Sequence, residues 1–317
     1  MSSTSDTTSP VSPATALPPL RHHQRFDYRP ITDRDDWRWP GETGLAVYLG
    51  FNLEHYAFGE GRGVGIAPPA PEGEPDVLNY AWRDYGNRVG AWRCLELFEQ
   101  LGLPVGVIAN TAILDHCPAL LDAFAARGDE IIAHGHTNAE RQGQMDEASE
   151  RRLIAACRAR LKARYGNAPR GWLSPWISES EATPDRLREA GFDYQLNWAH
   201  DDRPTPMRTD TGTLWSIPYP QEVNDIPTIS SHRVSMAEFS TMIRDQFHEL
   251  HEQSRRQPLV MGIALHPWIV GQPFRLRQLR HVLGELAGFG TADGVWWTTP
   301  GGIAGHMAQL PSPSARR

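Results

Sequence analysis

Three polar residues that could carry proton-transfer or metal chemistry each lie just after an apolar run of the chain. Glu54 and His134 follow β-branched, apolar segments, and His266 ends the strongly apolar segment Val260–Leu265. A carboxylate can act as a general base or bind a metal ion, and a histidine with a pKa near neutrality can donate or accept a proton. Because the carboxyl ends of parallel strands meet at one edge of a sheet, we expect these side chains to form one catalytic site.

Further polar and aromatic residues follow the same runs and their neighbours. We expect them to bind the substrate, the polar members through hydrogen bonds and the tryptophans as flat walls for a small planar ring. These residues are Asn52, His136, Trp176, Trp198, Asp201, Asp202 and Trp268. Histidine, carboxylate and amide groups at several strand ends predict polar chemistry on a small molecule.

Runs of β-branched and aromatic residues alternate with helical patterns through most of the chain. The predicted strands are Leu45–Phe51, Pro104–Ala109, Glu130–Ala133, Gly171–Ser174, Phe192–Trp198, Leu214–Ile217, Pro258–Leu265 and Val295–Thr298. Helices are predicted over Asp84–Leu101, Glu140–Arg164 and Ser235–Ser254, and loops over Gly59–Asn79 and Thr205–Ser231. The alternation is typical of an α/β fold, either a (β/α) barrel or a doubly wound sheet. The chain has neither a G-x-G-x-x-G motif after its first strand nor a P-loop, so a nucleotide-binding fold has little support.

The composition is that of an ordinary globular domain, with 40% hydrophobic and 22% charged residues and a formal net charge of -7. Nucleic-acid-binding proteins usually carry a basic face, so this acidic balance argues against that class. The three scattered cysteines form no C-x-x-C pair and predict neither a disulfide framework nor a thiolate zinc site. We expect a disordered tail over residues 1–25, a barrel domain over 26–310 and a flexible tail over 311–317.

Neither export nor membrane insertion is predicted. The N-terminal residues are rich in Ser, Thr and Pro and lack the apolar region of a signal peptide. No apolar stretch approaches the roughly 18 residues that a membrane span needs. We therefore expect a cytoplasmic protein whose partner is a small-molecule substrate rather than nucleic acid or a membrane.

Several motifs resemble the polysaccharide deacetylase (NodB-homology) superfamily, and they occur in the order expected for it. They are Gly-His-Thr-Asn ending at Asn138, Arg170 before Gly-Trp-Leu-Ser-Pro, Asn-Trp-Ala-His-Asp-Asp-Arg-Pro ending at Pro204, and Leu-His-Pro-Trp-Ile-Val-Gly-Gln-Pro from Leu265. The resemblance covers about residues 26–302 and implies a distorted (β/α) barrel of about seven strands that hydrolyses C–N bonds other than peptide bonds. The last two motifs are similar to the branch of allantoinase-like and cyclic-imidase-like enzymes, whose members form homo-oligomers, often tetramers.

The residues that would bind a metal depart from the superfamily pattern. Most members carry an Asp-Asp pair where this chain has Asn52 and Glu54, and a second His where this chain has Asn138. The resemblance therefore implies either a weakened ligand set of Glu54, His134 and Asn138 for one zinc-like divalent ion or, as in allantoinase-like relatives, no metal. An amide oxygen binds a borderline metal more weakly than an imidazole does. Which of Asn52 and Glu54 faces the site is left open.

The resemblance gives roles to four catalytic candidates. Glu54 would act as a base or hold a metal, His134 would bind the metal or the substrate, and His266 would protonate the leaving nitrogen. Arg170 would orient the catalytic carboxylate. We expect ring opening of a small cyclic amide, imide or ureide. The alternatives are metal-dependent N-deacetylation of acetylated amino sugars and a non-catalytic binding protein on a decayed barrel.

Overall fold

The computed structural model describes Leu17, residues 20–59 and residues 75–311, and within these ranges the chain forms one sheet flanked by helices. The strands are β1 (Leu45–Leu53), β2 (Val105–Ala109), β3 (Glu130–Ala133), β4 (Gly171–Trp172), β5 (Tyr194–Gln195), β6 (Thr205–Thr209), β7 (Gly212–Ser216), β8 (Leu259–Leu265) and β9 (Val295–Thr298). The α-helices are α1 (Val77–Tyr85), α2 (Ala91–Leu101), α3 (Ile113–His116), α4 (Pro118–Ala126), α5 (Glu147–Tyr165), α6 (Thr183–Glu189), α7 (Met236–Gln253), α8 (Pro267–Val270), α9 (Pro273–Leu286) and α10 (Pro300–Gln309).

The sheet curls into an open barrel. Its strand order is β6-β7-β5-β4-β3-β2-β1-β8, and β9 pairs with the first half of β1. The pairings are parallel except in the β6–β7 hairpin at one end of the order. An isolated pair, Asn224 with Ala264, joins the segment after β7 to β8. The predicted distorted (β/α) barrel is confirmed, with nine strands in the described ranges where about seven were expected.

Strand β1 determines which side chains point into the site. All nine of its residues are buried, as is usual for a parallel strand that is covered on both faces. Its odd-numbered side chains pack in the helical layer, whereas Ala46 and Tyr48 belong to the cluster inside the barrel. Because side chains alternate along a strand, Asn52 and the following Glu54 continue the inward face.

A π turn, Gly86–Gly90, divides the helix predicted over Asp84–Leu101 into α1 and α2. The turn lies against the start of α8, where a Cβ on Gly90 would come within 2.1 Å of the carbonyl oxygen of Pro267. Glycine allows this close approach because it has no side chain. The turn places Asn87 beside the end of β1, and π turns of this kind are frequent at functional sites.

The segment Thr205–Ser231, predicted to be a loop, contains the β6–β7 hairpin and a π turn over Ile226–Ser231. Strand β6 lacks the apolar alternation that identifies a strand, and it includes Pro206. Proline is tolerated there because β6 is an edge strand that pairs on one side. The long surface helix α5 begins at Glu147, after its N-cap Asp146, and not at Glu140.

The segment just before the domain boundary predicted at residue 26 contacts the domain. Arg21 forms an ion pair with Glu181, and Arg25 forms one with Asp185 at 2.6 Å. These pairs attach the N-terminal segment to the region around α6. The rest of the predicted tails (1–16, 18–19, 312–317) and much of the predicted loop (60–74) lie outside the described residues. No helix in the described ranges combines the length and the apolar character that crossing a membrane requires.

Candidate active site

A buried carboxylate and two imidazoles meet at the C-terminal edge of the barrel. Glu54 follows β1, His134 follows β3 and His266 follows β8. Oε1 of Glu54 lies 3.6 Å from Nε2 of His134 and 3.5 Å from Nε2 of His266, and the three side chains are at most 4% exposed. The structure thus brings together three of the four catalytic candidates. Glu54 contacts the histidines, whereas Asn52 lies deeper in the barrel.

Hydrogen bonds fix the orientation of the Glu54 carboxylate. Tyr56 donates its hydroxyl to Oε2 at 2.8 Å, and Nδ2 of Asn138 donates both to Oε1 at 2.9 Å and to the Tyr56 hydroxyl oxygen at 2.7 Å. Nδ2 of Asn87 donates to the Glu54 carbonyl oxygen at 2.8 Å. Burial alone would raise the pKa of Glu54, but the two histidines hold it well below its ordinary value. The carboxylate is therefore an anion at neutral pH.

His266 is held by a second buried carboxylate. Its backbone N–H donates to Oδ2 of Asp225 at 2.7 Å, and its Nδ1 donates to Oδ1 at 2.6 Å. Burial lowers the pKa of His266, but the negative charges of Asp225 and Glu54 outweigh burial and raise the pKa to about 10. At neutral pH the ring is an imidazolium, with one N–H on Asp225 and the other facing Glu54.

The tautomer of His134 follows from its partner. Nδ1 of His134 lies 2.7 Å from the carbonyl oxygen of Leu173, and because a carbonyl only accepts, Nδ1 carries the hydrogen. Its Nε2 faces Oε1 of Glu54. The site therefore places an anionic acceptor, Glu54 Oε1, beside a charged donor, His266, with Nε2 of His134 facing the same carboxylate oxygen. This is the pattern that activation of a water and protonation of a leaving group require.

The Asp225–His266 pair makes the stability of the fold depend on pH. The pKa of His266 rises from an ordinary value of 6.5 to about 10 on folding, so its stabilising contribution is complete below pH 6.5 and is lost as the pH rises toward 10. In urea unfolding followed by circular dichroism, the free energy of unfolding should therefore fall with pH, by up to about 1.4 kcal/mol per unit between roughly pH 7 and 9. Asp225→Asn should make this slope much shallower.

Asp201→Asn is the matched control for that measurement. Asp201 pairs with Arg34 at 2.5 Å, and arginine does not lose its charge in this pH range. The control should keep the wild-type slope. Equal slopes for the wild type and Asp225→Asn would contradict the raised pKa of His266.

The residues at this edge do not fit a zinc-like ion. Asn138 turns its NH₂ group toward Glu54, because the carboxylate and phenol oxygens there act as acceptors. His266 is charged and offers no free lone pair, so the convergent ligands are Glu54 and His134. Among the described residues, no group of three or more His, Cys, Asp or Glu side chains is arranged as a metal site. The predicted role of Asn138 as a metal ligand does not fit this geometry.

A strained turn after β4 lies beside the site. Trp176 and Ile177 have φ angles of 61° and 55°, and a bulky residue in this left-handed region costs about 1–3 kcal/mol. Nε1 of Trp176 donates to the backbone carbonyl oxygen of Asn138 at 2.6 Å, and the guanidinium of Arg141 lies 4.4 Å from the ring centroid. The edge of the indole and one of its faces are therefore engaged by the protein itself.

Two other predicted substrate-binding residues also lie close to the catalytic groups. Trp268 is 2% exposed, and its ring centroid is 6.4 Å from that of His266. Asn52 donates to the Tyr219 hydroxyl oxygen at 3.0 Å and to the Leu265 carbonyl oxygen at 3.3 Å. Within the described ranges, neither Nε1 of Trp268 nor Oδ1 of Asn52 has a hydrogen-bond partner. Both residues remain candidates for contact with a substrate.

His136 and Trp198 form their contacts elsewhere. Nδ1 of His136 lies 3.0 Å from the hydroxyl of Thr111, and the indole N–H of Trp198 donates to Glu179 at 2.5 Å. Trp198 also packs against aromatic rings of the N-terminal segment. The predicted substrate-binding role of these two side chains does not fit these positions.

The two adjacent aspartates lie at a separate cleft. Asp201 binds Arg34, and Asp202 lines a cavity of about 350 Å³ together with Tyr219 and Val260. Burial raises the pKa of Asp202, and the neighbouring carboxylates add to that effect. Neither aspartate contacts Glu54, so their predicted role at the catalytic site does not fit this placement.

Arg170 lies at the opposite edge of the sheet. It immediately precedes β4, and its Nε donates to Oδ2 of Asp193, just before β5, at 2.7 Å. Its side chain is 49% exposed. Because this is the N-terminal edge of both strands, the prediction that Arg170 orients the catalytic carboxylate does not fit the structure.

Four residues of the site are not among the sequence-based candidates: Asp225, Tyr56, Asn87 and Arg83. Tyr56 lies two residues after Glu54, so strand alternation is a signal that could have indicated it. Arg83 is buried, with its guanidinium 4.1 Å over the Tyr56 ring. Asp225 lies in a segment that carries no recognisable motif, and the π turn that positions Asn87 has no sequence signature.

Comparisons with known proteins agree with this architecture. No family model matches the chain. The chain is 28% identical over 296 residues to a Schizosaccharomyces pombe protein that carries the name of a polysaccharide deacetylase, covering 84% of this chain and 91% of that one. It is also 28% identical over 155 residues to a peptidoglycan deacetylase of Helicobacter pylori, covering 49% of this chain and 52% of that one.

Two solved structures are similar over most of the chain. One, from Pseudomonas aeruginosa PAO1, also carries the name of a polysaccharide deacetylase; it is 26% identical with a TM-score of 0.78, covering 87% of this chain and 95% of that one. The other, Puue allantoinase, is 26% identical with a TM-score of 0.79, covering 90% of this chain and 99% of that one.

These similarities support the polysaccharide deacetylase (NodB-homology) superfamily and the activity of a hydrolase of C–N bonds other than peptide bonds. Within that superfamily its structure is similar to the allantoinase-like branch.

Proposed function

We propose that the protein opens a small cyclic amide, imide or ureide by hydrolysis, using acid–base chemistry of its own side chains. The observation that carries this proposal is the buried row of Glu54, His266 and Asp225, in which an anionic acceptor faces a charged donor. The substitution of Asn138 for a metal-binding histidine and the similarity to Puue allantoinase support the same substrate class.

Each group has a defined part in the proposed reaction. Glu54 Oε1 and His134 Nε2 hold a water by hydrogen bonds, and Glu54 takes one proton from it as the water oxygen attacks the ring carbonyl carbon. The positive charge on His266 stabilises the negative charge that develops on the carbonyl oxygen. When the C–N bond breaks, His266 Nε2 gives its proton to the leaving nitrogen. The opened product then carries a free carboxylic acid and an N–H, and the proton that Glu54 took from the water restores His266.

A second candidate function is metal-dependent N-deacetylation of acetylated amino sugars. The identity of 28% to the Schizosaccharomyces pombe protein over most of both chains favours it. That reaction needs an ion held by three or more suitable ligands, whereas the described residues offer Glu54 and His134. A purely binding protein is a weaker candidate, because burying three ionised side chains is costly and is usually retained for chemistry.

A substrate panel, tested before and after chelation, distinguishes these functions. Allantoin, hydantoin and succinimide represent small rings, and soluble N-acetylglucosamine oligomers represent acetylated sugars. We expect NMR to detect opening of at least one ring, at the same rate after dialysis against a chelator, and no release of acetate. Acetate release that is lost on chelation and restored by zinc would contradict the proposal in favour of the deacetylase. Hydrolysis of neither class would support the binding protein.

The predicted homo-oligomer and the cytoplasmic location accompany this proposal as expectations. The homo-oligomer is implied by the resemblance to the allantoinase-like branch.

A further inference from the structure

The side-chain oxygen of Asn138 has no hydrogen-bond partner among the described residues, although the rest of the residue is firmly held. The backbone N–H of Asn138 donates to the His55 carbonyl oxygen at 2.9 Å, and its backbone carbonyl oxygen accepts from the indole N–H of Trp176. Its side-chain Nδ2 donates to the Glu54 carboxylate and to the Tyr56 hydroxyl oxygen. The residue is 2% exposed, yet Oδ1 has no hydrogen-bond partner among the described residues. Leaving a buried acceptor unpaired is costly, which indicates that a ligand supplies the missing donor.

The position of Asn138 depends on a turn held in an unfavourable conformation. Trp176 and Ile177 have positive φ angles, and such outliers persist where the surrounding structure imposes them and are concentrated at functional sites. The start of the turn is anchored by Asn197, whose Oδ1 accepts the backbone N–H of Ser174 at 2.8 Å. The strained turn therefore directs the indole N–H of Trp176 onto the Asn138 backbone.

We propose that Oδ1 of Asn138 accepts a ring N–H of the substrate and that Trp176 is a positioning residue that sets this acceptor. The proposal rests on the proposed function and specifies what the site recognises: a ring nitrogen that bears a hydrogen. A cyclic amide, imide or ureide has such a group, and its fully N-methylated analogue does not. A site built to pair an N–H rejects the analogue because its own polar atom stays unpaired.

Hydantoin and 1,3-dimethylhydantoin are the probe pair, because they share a ring and two carbonyl groups and differ in their N–H groups. Ligand-observed NMR gives the dissociation constant of each probe and reports ring opening in the same sample. Trp176→Phe removes the indole N–H that binds Asn138. Trp198→Phe is the matched control, since it removes an indole N–H that binds Glu179 instead.

The wild type should bind hydantoin about 100-fold more tightly than the dimethyl analogue. Trp176→Phe should reduce this preference to about tenfold or less, and Trp198→Phe should keep it. Trp176→His, which retains a ring N–H donor, should restore part of the preference and remains informative if the Phe variant does not fold. Melting temperatures, which are measured on the same variants, distinguish a loss of folding from a loss of selectivity.

Three results would contradict this proposal, and each has a different meaning. A full wild-type preference in Trp176→Phe overturns the positioning role. Equal binding of both probes by the wild type overturns the assignment of Asn138 Oδ1 and leaves the proposed hydrolysis standing. If the wild type neither binds nor opens hydantoin, this proposal is overturned, whereas the ring substrate class is overturned only when allantoin and succinimide are not opened either.

Discussion

The His266→Gln variant is expected to open the ring substrate with a kcat about 10²–10⁴-fold below that of the wild type and a KM that changes little. Glutamine has a similar size but cannot be protonated, so the variant loses the acid that completes C–N cleavage. It also loses the charge that the buried Asp225 and Glu54 maintain on the ring. The loss falls in kcat because this proton moves during bond cleavage and not during binding. Steady-state kinetics of ring opening measure it.

The pH profile gives an independent check on the same residue. The pKa of His266 is raised to about 10, so the wild-type rate should stay level through neutral pH and fall only at strongly alkaline pH, as the ring loses its proton. His248→Gln is the matched control, because His248 is 47% exposed on α7. The control should retain wild-type kinetics. A His266→Gln enzyme with an unchanged rate would remove His266 from the mechanism.

Glu54→Gln is expected to lower kcat by about 10³-fold, again with the fold preserved. The substitution keeps the size of the side chain but removes the negative charge that accepts the proton of the attacking water. It also removes one of the two anions that raise the pKa of His266. The residual activity should therefore fall at a lower alkaline pH than in the wild type. This shift identifies Glu54 as an electrostatic partner of His266 in addition to its action as a base.

Tyr56→Phe separates the charge of Glu54 from its orientation. The variant keeps the carboxylate and loses the hydroxyl that donates to Oε2 at 2.8 Å. Loss of one hydrogen bond of about 0.5–1.5 kcal/mol predicts a decrease of roughly tenfold or less. If Glu54→Gln were as active as Tyr56→Phe, the carboxylate would serve only to organise its neighbours. A base other than Glu54 would then be required.

The sequence was most informative at the ends of the strands, where the structure brings Glu54, His134 and His266 together. The runs before Glu54 and His266 are long and apolar, because parallel strands covered on both faces are buried throughout, and a shorter run precedes His134. Such runs are visible without any knowledge of tertiary contacts, and the rule that chemistry lies at their carboxyl ends selects the polar residues that follow. Arg170 shows the limit of this reasoning. It is close to a motif along the chain, but it precedes the strand and therefore lies at the other edge.

The sequence by itself predicted the α/β fold, the resemblance to the superfamily and the three residues at the centre of the candidate site, because local hydrophobic patterning and motif order carry that information. The tertiary structure decided the pairing of Asp225 with His266 and the donor role of the Asn138 amide. It also decided the strained turn at Trp176 and the departure of His136, Trp198 and Asp201 from the site. These features depend on side chains that are distant along the chain and meet only when the sheet has formed and curled. Their charges and hydrogen bonds acquire their strength from burial, which no single segment of sequence specifies.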